Sequence, residues 1–261
     1  MHTKAQKLEA FSRLLDIMDD LREKCPWDKK QTLESLRHLT IEETYEMSDA
    51  ILEGNMTELK KELGDVLLHI VFYARIASET KDFDIGHVIH SLCDKLVQRH
   101  PHIYGDVKAE TAEQVKENWE QIKLKEGNKS VLSGVSKGTP SIVKAYRMQE
   151  KAAQVGFDWE TSEQVWEKVD EELGELKAEW NSGNKEKAEK EFGDFLFALI
   201  NLARKSGINP DDALEATNGK FKRRFMFIEE QVAKKGLKMT DLKLDELDEF
   251  WKMAKKLPEN Q

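Results

Sequence analysis

The sequence predicts an all-α protein built from two copies of one helical unit, and three observations lead there. Charged residues make up 35 % of the 261 and hydrophobic ones 39 %, with only 14 Gly and 5 Pro, the profile of charged helical surfaces rather than sheet. No runs of β-branched and aromatic residues suggest strands. Apolar residues recur instead at helical intervals, as Leu59, Leu63, Val66, Leu67, Ile70, Val71 and Ala74, and again as Phe192, Phe195, Leu196, Leu199, Ile200 and Ala203, which reads as two core-facing stripes. The third observation is a carboxylate pattern that occurs twice.

From the N-terminus, residues 1–15 read as an amphipathic helix without the apolar centre of a signal peptide, and no stretch approaches the ~18 apolar residues of a membrane span. Thr40 with Glu43, and Thr161 with Gln164, read as capping boxes; the first gives Glu43 a competing occupation. Around Gly54 stand Glu43 and Glu46 on one side and Glu62 and Asp65 on the other, eleven and eight residues before it and eight and eleven after. Glu172, Glu175, Glu191 and Asp194 repeat these offsets around Gly183. If the glycine turns the chain between two helices, equal offsets mean equal heights, at about 1.5 Å per residue, and a spacing of three keeps each pair on one face. Four acidic groups then meet at one level, as in helical-bundle sites for hard cations.

Two carboxylates about 5 Å apart repel by roughly 3 kcal/mol at an effective dielectric near 20, a large fraction of the ~5–15 kcal/mol that holds a domain together. Either the side chains splay into water, or a cation or raised pKa values relieve the repulsion. Splaying is ordinary for one Glu-x-x-Glu pair. The recurrence of the whole set favours a cation.

Gly, Ser, Asn and Pro140 break the helical period over residues 126–141, which divides the chain into expected domains at 1–125 and 142–261 around a linker. Aligning the halves places Glu43 on Glu172 and Asp65 on Asp194. With a four-residue length difference allowed near residues 80–83, it also places Lys95 on Lys220 and Arg99 on Arg224. An internal duplication follows. Lys220, Lys222, Arg223 and Arg224 concentrate four positive charges within five residues, against Lys95 and Arg99 in the first half. A phosphate-bearing ligand bridging a cation and these side chains would explain both features.

A formal net charge of −9 argues against a general nucleic-acid binder. Cys25 and Cys93 form no Cys-x-x-Cys pair and suit a reducing compartment, so the expectation is a cytoplasmic protein without membrane attachment.

Glu-Glu-x-x-Glu followed by Glu-x-x-Asp, duplicated, resembles the MazG family of nucleoside triphosphate pyrophosphohydrolases. The segments CPWDKKQT (25–32), EETYE (42–46), ELGDVLL (62–68), RHPHIYGD (99–106), VGFDW (155–159), EELGE (171–175), EFGD (191–194) and KFKRRF (220–225) carry the likeness. It implies two MazG-like helical domains with four-helix-bundle sites completed in a homodimer. It also implies Mg2+, or Mn2+ in its place, and cleavage of ribo- and deoxyribonucleoside triphosphates between the α and β phosphates with broad base acceptance. By the same resemblance Glu172, Glu175, Glu191 and Asp194 are metal ligands, with Glu43, Glu46, Glu62 and Asp65 a possible second set. Lys168, Glu171, Lys220, Phe221, Arg223, Arg224 and Trp251 are then substrate contacts, more weakly matched by Lys95 and Arg99. Glu171 or Glu175 is the expected general base, and the second half the expected catalytic one. A magnesium ion in such a shell neutralises the phosphates while a water near a carboxylate attacks phosphorus in line.

Competing readings concern particular residues. His100 and His102 read as turn and cap residues rather than zinc ligands. His69 lacks a histidine in the other half, where Ala198 stands, which speaks against a di-iron site. Trp27 and Trp159 read as buried anchors before base-stacking groups. A helical scaffold or regulatory binding protein, and a phosphatase acting at the γ end, are the rival functions.

Overall fold

The computed structural model describes residues 1–111, 114, 115, 118, 119, 122 and 130–257. Among these the chain is helical, without a strand, and none of the described helices is long and apolar enough to cross a membrane. It divides into two compact units, Met1–Ala109 and Glu110–Gln261. Of the expected linker, residues 126–129 lie outside the described residues; Val131–Gly134 forms a 3-10 turn in the second unit.

The first unit runs α1 (Lys4–Lys24), α2 (Leu33–Leu52), α3 (Met56–Glu79), α4 (Ile85–Arg99) and the single turn α5 (Pro101–Tyr104). The α2 helix begins seven residues before Thr40, because Thr32 and Ser35 form the capping box. Thr40 is therefore inside α2, where its hydroxyl donates to the Leu36 carbonyl at 3.0 Å. The expected Thr40–Glu43 cap does not form, and Glu43 is left to the acidic cluster. Gly54, at φ +66°, turns the chain between α2 and α3, and Asn55 caps α3. Met18, Leu36, Val71 and Phe72 form the buried centre, with Leu39, Leu68 and Tyr73 packed on it. Arg22 fixes the connection from α1 to α2: it grips Glu79 through Nε at 2.8 Å and its second amino group at 2.9 Å, and donates to the Gln31 carbonyl at 3.0 Å.

The second unit contains α6 (Ser141–Ala153), α7 (Ser162–Ser182), α8 (Lys185–Lys205), α9 (Pro210–Lys234) and α10 (Leu244–Ala254). Here the expected Thr161–Gln164 capping box forms. Gly183, at φ +75°, ends α7 in the left-handed conformation that favours glycine, and Asn184 caps α8. Val165, Val169, Ala198 and Leu202 make one core between α7 and α8; Ile228, Val232 and Phe250 make another between α9 and α10.

The duplication extends to these details. The four-residue difference is absorbed by α3, which runs 24 residues where α8 runs 21, and by a connection of residues 80–84 against 206–209. The apolar stripes are only partly buried. Val71 and Ala74 are core, and Phe195 and Leu199 pack half-buried on the core of the second unit, but Leu63, Leu67, Ile70, Phe192 and Leu196 are exposed. Helical period identifies an apolar face without saying what covers it.

Candidate active site

Each glycine turn sets two helices side by side, and the carboxylates meet between them. Glu43, Glu46 and Glu62 each offer an oxygen within 4.8 Å of the others, and so do Glu172, Glu175 and Glu191. The expected quartets thus close as triads. Asp65 and Asp194 are not part of these tight sets. They act on the triads through their charge. Glu43 is held above the ordinary carboxylate range by partial burial and by repulsion from Asp65, Glu46 and Glu62; Glu191 is raised by desolvation and by Glu175, Asp194 and Glu172.

Lysines supply part of the missing positive charge. Lys61 reaches Glu62 Oε1 at 2.8 Å. In the second unit Lys168 bridges Glu172 at 2.7 Å and Glu171 at 3.0 Å, and these two carboxylates hold its ammonium far above the usual lysine range. The other oxygen of Glu62, Oε2, is buried with no hydrogen-bond partner, although the residue is only 3 % exposed. Three convergent carboxylates, one carrying an orphaned buried oxygen, form the oxygen donor set that a hard divalent cation requires. The residues present therefore fit such an ion.

Beside the second triad lies a cavity of about 610 Å³. Glu172, Asp194 and Lys168 line one margin, and Met148, Gln149, Phe157, Trp159, Phe197 and Ala198 line much of the rest. The loop carrying Phe157 and Trp159 is held to the end of α8. Arg204 donates to Asp158 Oδ2 at 3.2 Å, its other terminal nitrogen binds Oδ1, and Lys205 approaches Oδ2 at 3.4 Å. Burial works to raise the Asp158 carboxyl, but the hydrogen bond and charge of Arg204, with Lys205, outweigh it and hold the group below its ordinary value.

The remaining expected residues lie elsewhere. Lys220, Phe221, Arg223 and Arg224 follow one another on α9, and none of them lines the cavity. The Arg224 guanidinium sits 5.6 Å from the Trp251 ring centre, Phe221 packs against Trp251 at 5.4 Å, and Trp251 also packs on the Ile228–Val232–Phe250 core. Lys95 is exposed and Arg99 half-buried on α4. Trp27 and Trp159, expected as buried anchors, are 54 % and 41 % exposed, because both sit on short connections between helices. His100 ends α4 with its Nδ1 2.6 Å from the Leu96 carbonyl, a capping role.

Comparison with known proteins places this arrangement. The sequence pattern of the MazG nucleotide pyrophosphohydrolase domain matches residues 31–104 and 160–226. A nucleoside triphosphate pyrophosphohydrolase/pyrophosphatase MazG of Thermotoga maritima is 44 % identical over 250 residues, covering 94 % of this chain and 95 % of its own. A nucleoside triphosphate pyrophosphohydrolase of Escherichia coli is 41 % identical over 258 residues, covering 95 % and 98 %. The chain belongs to the MazG family.

The MazG match spans both triad hairpins and reaches into the basic segment of α9. It leaves out α6 and the loop before residue 160, where Gln149 and Phe157 stand, and α10 with Trp251. Gln149, like Met148, Phe197 and Asn201, is a cavity residue that no sequence spacing marked. The VGFDW segment pointed to Phe157 through resemblance alone.

A solved mazG-related protein from Thermotoga maritima aligns with 43 % of this chain and 98 % of its own, at 26 % identity and a TM-score of 0.39.

Proposed function

We propose that this MazG protein hydrolyses ribo- and deoxyribonucleoside triphosphates at the α–β bond, releasing the monophosphate and pyrophosphate, and that the second unit carries the reaction. The supporting observation is the triad of Glu172, Glu175 and Glu191, whose Glu172 lines a cavity together with Lys168 and Asp194. Glu172, Glu175 and Glu191, with Asp194 beside them, would hold Mg2+, or Mn2+ as a substitute, which would supply charge neutralisation to the triphosphate.

In this reading a water oxygen forms the new bond to the α phosphorus, the bond from that phosphorus to the bridging oxygen breaks, and pyrophosphate departs with the electron pair. Glu171 receives the water's proton, because it is exposed and bridged to Lys168 rather than engaged in the triad; Glu175 is the alternative acceptor. Lys168 holds Glu172 and Glu171 in place. Lys220, Arg223 and Arg224 bind the departing phosphates, with Phe221 and Trp251 fixing the Arg224 guanidinium.

A homodimer is part of the same reading. Leu63, Leu67 and Ile70 on α3, Ile89, Leu92 and Leu96 on α4, and Phe192 and Leu196 on α8 are large apolar side chains 39–52 % exposed, faces that a second copy would cover. The free Cys25 and Cys93 suit the cytoplasm. Product analysis is the test: ATP with Mg2+ yields AMP and pyrophosphate, whereas ADP and phosphate would place cleavage at the γ end. No turnover of any triphosphate would favour a binding protein.

A further inference from the structure

Gln149, in the wall of the cavity beside Glu172, carries a buried polar atom that the protein leaves unsatisfied. Gln149 on α6 is 7 % exposed. Its Nε2 donates to the Phe197 carbonyl at 2.8 Å, and its Oε1 is buried without a hydrogen-bond partner. A backbone carbonyl only accepts, so the bond to Phe197 determines which way the amide faces and leaves Oε1 as the free acceptor. Leaving such an acceptor unmade costs about 1–3 kcal/mol. Gln149 lies on the cavity wall, where a ligand bearing an N–H would relieve that cost.

The rest of the wall indicates what carries the N–H. Met148, Phe157, Trp159 and Phe197 present apolar and aromatic surface, and Glu172 and Asp194 line the same cavity. The volume of about 610 Å³ falls within the ~300–1,000 Å³ of small-molecule sites, which pair apolar walls with a few placed polar groups. A triphosphate bridged to these carboxylates by a cation would have this cavity, with Gln149 in its wall, within reach of its base. We propose that this cavity receives the nucleobase of the triphosphate and that Gln149 Oε1 accepts a hydrogen bond from an N–H on the pairing edge of the base. The assignment rests on the pyrophosphohydrolase reading above and makes Gln149 a specificity determinant outside the metal-binding triad.

One acceptor of this kind recognises a base without choosing among the common ones. Adenine and cytosine offer an amino group, and guanine, uracil and thymine offer a ring N–H. A base with no N–H on that edge is the one disfavoured.

The test compares kcat/KM of the full chain with Mg2+ for ATP and for purine riboside 5′-triphosphate, in which hydrogen replaces the adenine amino group. The expected wild-type preference for ATP is about tenfold, the scale of one hydrogen bond to a buried group. Gln149→Leu brings the ratio to within about twofold, and Gln149→Met, closer in shape, does the same. Equal kcat/KM in the wild type, or an undiminished preference in a folded Gln149 variant, overturns the assignment. The wild-type ratio needs no substitution, so a misfolded variant does not rescue the idea. Absence of pyrophosphate from every triphosphate is a different failure: it removes the activity on which the assignment rests.

Discussion

The two units carry the same carboxylates in the same places, yet what surrounds them differs. In the first, Leu39 stands where the second has Lys168, His69 where it has Ala198, and Phe72 where it has Asn201. Leu39 packs on the core, Phe72 is 2 % exposed and His69 is 7 % exposed, so these positions are filled with bulk. The His69 ring is pushed toward its neutral form by burial, against the opposing charge of Asp65, and its Nδ1 has no hydrogen-bond partner. In the second unit the corresponding space is the cavity wall at Ala198 and Asn201. Donor geometry alone therefore does not separate the halves. The volume and charge beside the donors do.

Substitutions that make the second unit resemble the first are the strongest way to break this comparison. Ala198→His combined with Asn201→Phe fills the cavity and lowers kcat/KM for ATP by about 100-fold, mostly through KM, since binding surface is lost while the triad stays intact. Steady-state kinetics beside a thermal melt check it. Unchanged kinetics in a folded double variant would show that the cavity is irrelevant to turnover. Lys168→Leu, which copies Leu39, is expected to cost about tenfold in kcat/KM by releasing Glu171 and Glu172 from their bridging ammonium. The mirror change, Leu39→Lys, places a charge in the first core and lowers stability without adding activity.

The acidic clusters make a further prediction about pH. Glu43 and Glu191 both have carboxyls raised above the ordinary range, so the folded chain binds their protons more tightly than the unfolded chain does. Their contribution to stability is complete below the unfolded value of about 4.3 and is lost as pH rises through the raised values. On the proposed reading, Mg2+ would do above that window what protons do below it. Its addition should raise Tm by about 2–4 °C at pH 7, the scale of 1 kcal/mol in a chain of this size, and by almost nothing near pH 4. Scanning calorimetry with and without chelator measures both; an equal increment at the two pH values would contradict the cation sites.

The smallest effect is local and shared. Thr32→Ala and Thr161→Ala each remove the capping hydroxyl of a triad helix and should cost about 1 kcal/mol apiece by urea denaturation. A cost several-fold larger in one unit would mean that its cap also supports the site.

These residues show which parts of the fold were legible in the chain. Glycine turns and helix pairs follow from helical geometry and appear where the offsets put them, and three of the four carboxylates in each unit converge between the paired helices. The Thr32 cap escaped because Ser35, not Glu or Gln, closes the box. Which apolar faces stay open was not legible, since period reports composition of a face and not its neighbour. Gln149 was invisible for a related reason: its partner Phe197 is 48 residues away, as Arg204 is 46 from Asp158. Lone polar residues acquire meaning only when packing supplies their partners.

Pyrophosphate release from ATP and Mg2+ by Glu172→Ala and Glu43→Ala, measured side by side, tests the division of labour most directly. Loss of at least about 1,000-fold in the first, with less than about threefold change in the second, is the result expected of a catalytic second unit. Equal losses, or retained activity in Glu172→Ala with loss in Glu43→Ala, would contradict it.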